Sequence, residues 1–117
     1  MIEVLRKGYI YLASPYSHPS PMIRHSRFQA ALAAAARLMA DGHIVFSPIA
    51  HSHPIEAMCF AEPKPGTFWK AQDEPLLRAA SRLIVLQIDG WQESKGIQWE
   101  MEVAREIQIP IVMWEWI

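Results

Sequence analysis

Glu100 is the carboxylate best placed for chemistry, falling in the first turn or two of a helix expected to begin near Gly96. Unpaired backbone N–H groups and the helix dipole favour the ionised form there. An ionised carboxylate is a usable nucleophile, and an acid that merely stabilises a helix start is the competing explanation. Tyr11 could hold such a nucleophile through its hydroxyl, or be one of two strand aromatics packed in the core. His51 and His53 flank Ser52, with Glu56 nearby, and invite a metal reading. Two histidines so close lack the further spaced ligands of zinc sites, so pocket lining is the preferred role and no metal or cofactor is expected. His18 and His25 could meet a phosphate, although surface histidines are ordinary. Ser14, Ser17 and Ser47 stand at turn positions that serine favours in any case. Asp89 and Gly90 form a turn first, with Asp89 a lesser site candidate, and Trp69, Trp91 and Trp99 line either a pocket, the core or an interface.

These residues must be positioned by the elements around them. GYIYLA over 8–13 predicts a strand, followed by the turn formers of SPYSHPSP. Met22 to Ala40 predicts an alanine-rich helix with Phe28, Leu32, Ala35 and Met39 on its apolar stripe, stopped by Asp41 and Gly42. HIVFSPIA predicts a second strand, and residues 51–67 a loop or lid with at most a helical turn at Ile55 to Phe60. A helix is expected from Thr67 to Ser81, kinked or restarted at Pro75 with Asp73 near the new cap. RLIVLQI is the clearest buried strand, and DGWQESK the loop after it. A helix follows from about Gly96 to Gln108 with Ile97, Met101 and Ala104 inward, and IPIVMWEWI closes the chain as a strand.

Strands apolar on both faces and alternating with helices predict an α/β fold. The expected form is a single-domain, parallel, flavodoxin- or Rossmann-like sheet of four to five strands with helices on both faces. Right-handed crossovers put ligands at the carboxyl ends of the strands. That edge would gather the SPYS loop, SPIAHSH, DGWQESKG and the amino end of the last helix.

Composition narrows the classes. The 117 residues are 51% hydrophobic, enough for one domain and one core. With 11 basic against 12 acidic residues and no charge run, duplex nucleic acid is not an expected partner. Cys59 is the only cysteine, so no intramolecular disulfide forms. The apolar part of MIEVLRKGYIYLAS is too short and too polar-flanked for a signal peptide or membrane span, which gives a cytoplasmic location as the expectation.

The stretch Ser94, Lys95, Gly96, Ile97, Gln98, Trp99, Glu100, with Ala104 beyond, resembles a segment of the nucleoside 2-deoxyribosyltransferases and related deoxynucleotide N-glycosidases. In that family a small-residue loop precedes a glutamate that attacks the anomeric carbon. YLASPYS, from Tyr11 through Tyr16 and Ser17, is similar to the family's opening strand and loop, and Asp73 ahead of RLIVLQI matches its general acid or base. Most of the chain is covered, so the resemblance implies one such domain over residues 1–117. Ser14 and Pro15 stand where the family often has a glycine. Ser94 matches the nucleotide-cleaving relatives, whose serine contacts a 5′-phosphate, rather than the aspartate of the transferases. GW followed by Ser, Gly and Glu is also similar to a phage and bacterial branch of the superfamily.

The resemblance implies cleavage or transfer at the N-glycosidic bond of a (deoxy)nucleoside or its 5′-monophosphate, with Glu100 attacking, Asp73 assisting departure of the base and Tyr11 beside them. Such a bond breaks through an oxocarbenium-like state that a carboxylate stabilises and then traps. Ser14, Tyr16, Ser17, Ser47, His51, His53, Trp69, Asp89, Ser94 and Gly96 are the expected substrate contacts, with phosphate at Ser94, Gly96 and the helix start. A homo-oligomer is expected, since such sites are often completed by a neighbouring subunit. Two other classes stay open: a non-catalytic nucleotide-binding or sensing module, and a partner-binding protein using its tryptophan-rich surface.

Overall fold

The computed structural model describes residues 2–4 and 7–116. Its elements run β1 (Ile10–Ala13), α1 (Pro21–Ala40), β2 (Val45–Phe46), α2 (Pro48–Cys59), α3 (Gly66–Arg78), β3 (Arg82–Gln87), α4 (Lys95–Glu106) and β4 (Ile111–Glu115). The sheet has four strands in the order β2-β1-β3-β4, all parallel, which is the α/β class the sequence predicts. Ile117, with which the expected last strand ends, lies outside the described residues.

Pleating sorts the side chains of the two central strands into two cores, because neighbouring residues point to opposite faces. Tyr11, Ala13, Leu83 and Val85 pack with Leu77 of α3 and Ile97, Val103 and Ala104 of α4. Ile10, Leu12, Ile84 and Leu86 pack with Ala34, Ala35 and Leu38 of α1. Helices therefore cover both faces of the central strands, and α2 packs against α1 and β1. Among the described residues no helix is long and apolar enough to cross a membrane.

The inward stripe of α1 differs from expectation. Leu32 and Met39 are 44% and 53% exposed, and Ala31, Ala34, Ala35 and Leu38 are buried instead. An alanine-rich helix shows little apolar contrast between its faces, and its small side chains let the backbone approach the sheet, so contact selects the face.

HIVFSPIA is also corrected. Only Val45 and Phe46 pair with β1, and α2 begins at Pro48 and occupies most of the expected loop. Ser47 caps α2 by accepting from the Ala50 N–H at 3.2 Å, and Pro48 sits where a missing N–H costs nothing. Pro54 lies inside α2 and Pro75 inside α3. Asp73 is thus in the body of a continuous helix and not near a new cap.

Candidate active site

The chain order creates a crevice before any side chain is considered. From β1 the chain crosses to β2 on one side, and from β3 to β4 on the other, so connections diverge at the carboxyl ends of β1 and β3. A cleft of about 890 Å³ opens there. Ser14, Tyr16, Ser17, His53, Trp69, Asp73, Asp89, Ser94, Gly96 and Glu100, all expected contacts, line it.

Three expected residues sit elsewhere. Tyr11 is fully buried beneath the cleft, 5.6 Å from the ring of Phe46. Ser47 spends its hydroxyl on the α2 cap, and His51 packs against Phe46 with ring centroids 5.8 Å apart. Neither lines the cleft. His53, two residues on, turns the other way: it stacks on Phe28 at 4.2 Å and its Nδ1 meets the Tyr16 hydroxyl at 2.6 Å. Glu56 accepts from Trp69 Nε1 at 2.8 Å and from the Lys64 N–H at 3.2 Å. Among the described residues no group of three or more His, Cys, Asp and Glu side chains is arranged to hold a metal.

Glu100 departs from the expected electrostatics. Counting from Lys95, it is the sixth residue of α4 and lies on the buried face with Ile97, Val103 and Ala104, while Met101 is only partly buried. The first-turn donors are therefore out of its reach, and Ser94, as cap, accepts from the Ile97 N–H at 3.2 Å. Burial dominates and pushes the Glu100 carboxyl up to about 8, against a pull from the Tyr11 hydroxyl that favours the anion and with the charge of Asp73 pushing further up. Among the described residues the Tyr11 hydroxyl meets no group in full hydrogen-bond geometry, and its pull does not offset the burial of the carboxyl. Burial likewise raises Asp73 to about 6. Tyr11 is itself raised, by burial and then by the charges of Glu100 and Asp73, so it stays a neutral phenol.

Two carboxyls from adjacent helices thus face one cleft, each displaced toward neutral pH and each influencing the same phenol. That arrangement can hold one proton between them and place an anion beside an acid.

Several lining residues lay outside the expected set: Arg27, Ser52, Glu56 and Lys70 among them. Lys70 and Asp73 are three apart on α3, a spacing that puts both on one helical face and could have marked Lys70. The Lys70 ammonium stands 5.4 Å from the ring centre of Trp99. Arg27 carried no such signal, because only the fold brings the amino half of α1 to the loop after β3.

A family model described as Domain of unknown function (DUF1937) matches residues 8–116. Comparison with curated proteins gives no match. Among solved structures, a 2-deoxyribosyltransferase from the psychrotolerant bacterium Bacillus psychrosaccharolyticus is similar in fold. Its TM-score is 0.65 at 22% identity, over 92% of this chain and 72% of that one.

Proposed function

The chain belongs to the family described as Domain of unknown function (DUF1937), and for this member we propose cleavage or transfer at the N-glycosidic bond of a deoxynucleoside or its 5′-monophosphate. One observation carries the reading: Glu100 and Asp73 share a cleft at the switch point of a parallel sheet, with both carboxyls raised toward neutrality. The likeness of fold to a 2-deoxyribosyltransferase supports it. Assignment to the phage and bacterial branch is part of the proposal and rests on GW followed by Ser, Gly and Glu, while kinship with the nucleotide-cleaving relatives rests on Ser94.

The active form carries the pair's proton on Asp73 and the negative charge on Glu100. The Glu100 carboxylate attacks the anomeric carbon, and the C–N bond breaks with its electron pair leaving on the base. Asp73 gives the departing nitrogen its proton. The glycosyl ester on Glu100 is then opened by a second base in a transferase or by water in a hydrolase, with Asp73 taking back a proton. A homo-oligomer belongs to the same proposal: Met22, Leu32 and Met39 expose apolar side chains along α1, at 82%, 44% and 53%.

A panel of deoxynucleosides and their 5′-monophosphates, followed for free base by chromatography, tests the reading. Native chain releases base, and Glu100→Ala lowers release by about a thousandfold or more. Release that survives the substitution removes Glu100 as nucleophile. Tight binding with no release from the native chain points to the sensing module instead.

A further inference from the structure

Arg27 is a cleft-lining cation to which the proposed chemistry gives no task. It sits on α1, and its Nη1 donates to the carbonyl of Ser17 at 2.9 Å and, at 3.5 Å, to that of Tyr16. Both acceptors belong to the loop after β1. The guanidinium also reaches the loop after β3 with its Nη2 end, where a Cβ added at Gly90 would stand 2.2 Å from Nη2. Gly90 has φ +93°, a conformation that favours glycine, so the backbone keeps that position free of a side chain and the guanidinium tip takes the space. The arginine therefore bridges the two loops that flank the switch point.

No acid among the described residues pairs with it. Among the described residues the ion pairs join Arg78 to Glu74 and Glu106, and none involves Arg27. Asp89 and Glu93 line the cleft from the same loop as Gly90 without reaching ion-pair distance of the guanidinium. A fixed cation left without a carboxylate beside two acids marks where an anion from outside would be held. Ser14 supplies an independent sign: it lines the same cleft, is 5% exposed, and its hydroxyl meets no protein partner. A buried hydroxyl of that kind is costly unless something satisfies it.

We propose that Arg27 holds the phosphate of a nucleoside 5′-monophosphate and sets the preference for nucleotide over nucleoside. The assignment rests on the N-glycosidic reading above and decides its substrate class. A planar guanidinium offers paired N–H donors to phosphate oxygens, a geometry that a nucleoside 5′-hydroxyl cannot use. Ser94, at the α4 cap, keeps its hydroxyl hydrogen free to donate while its oxygen accepts from Ile97. Arg27 supplies the charge that would offset Asp89 and Glu93, which by themselves repel a phosphate.

The test uses the full chain carrying Glu100→Ala, so that binding is read without turnover. Calorimetry compares each 5′-monophosphate with the nucleoside of the same base. Monophosphate is expected to bind at least tenfold more tightly, and adding Arg27→Met is expected to weaken it by about ten- to a hundredfold. Nucleoside binding should stay within about twofold, and Arg27→Lys should restore part of the preference, as a point charge does. Equal affinity for the two ligand classes, or a preference that survives Arg27→Met, overturns the assignment and leaves the N-glycosidic reading standing. Failure to bind either class overturns both. Should Arg27→Met loosen the loop after β1 and lose both ligands, titrating inorganic phosphate into the unsubstituted chain decides. The Arg27 Nε–H resonance is expected to shift, and an unmoved resonance overturns the proposal.

Discussion

Glu100 keeps its proton near neutral pH because it lies inward on α4, where desolvation outweighs the neighbouring phenol. With the carboxyl at about 8, about one molecule in ten is ionised at pH 7. The proposed reaction needs Glu100 as the anion and Asp73, at about 6, as the acid. Raising pH creates the first form and removes the second, so kcat/KM should trace a bell with limbs near 6 and 8 that belong to the pair. Asp73→Asn removes a charge that raises Glu100. The residual rate, down by about a hundredfold or more, should lose its alkaline limb and keep a single rising limb that reports Glu100 alone, at a value below 8. A pH–rate series on both proteins checks this; an alkaline limb that persists in Asp73→Asn would exclude Asp73 as the acid.

At the level of elements, serine caps place the site. Ser20, Ser47 and Ser94 each accept from the N–H three residues on, opening α1, α2 and α4. Ser47 points its hydroxyl at Ala50 and away from the cleft. Ser47→Ala should therefore cost about 1 kcal/mol of stability and leave the KM for substrate nearly unchanged. Urea unfolding alongside initial-rate kinetics separates the two, and a large rise in KM would return Ser47 to the site. Neither the start nor the body of α2 is read from the sequence: HIVFSPIA reads as a strand through Ser47-Pro48, although a serine followed by proline is a helix-start signal. Pro54 reads as a breaker in a local sequence, and contact with α1 and β1 outweighs it. Asp73 shows the same limit: Pro75 suggests a cap next to it, while α3 runs continuously from Gly66 to Arg78.

For the whole molecule, a buried carboxyl couples the site to folding. Unfolded, the Glu100 carboxyl returns to about 4.5; folded, it stands at about 8, so between these values the folded chain binds more protons than the unfolded one. Its contribution to stability is full below the lower value and is lost as pH rises through the upper one. Glu100→Gln removes that titration, so the variant should gain on the native chain by a few kcal/mol, as an order of magnitude, between pH 5 and pH 8. Urea midpoints at the two pH values read the difference, and an unchanged gap would mean that Glu100 is solvated. What the sequence settled by itself is the set of elements with strong local signals: the strands at YLA and RLIVLQ, the long alanine helix, the amphipathic α4 and the alternation that makes a parallel sheet. Periodicity and capping are local, and neighbours along the chain are enough to read them. Which face of α1 turns inward, that Glu100 is buried and protonated, and that Arg27 reaches Gly90 were decided only in three dimensions. Desolvation and charge contact depend on groups far apart in the chain, and only the order β2-β1-β3-β4 brings those groups together.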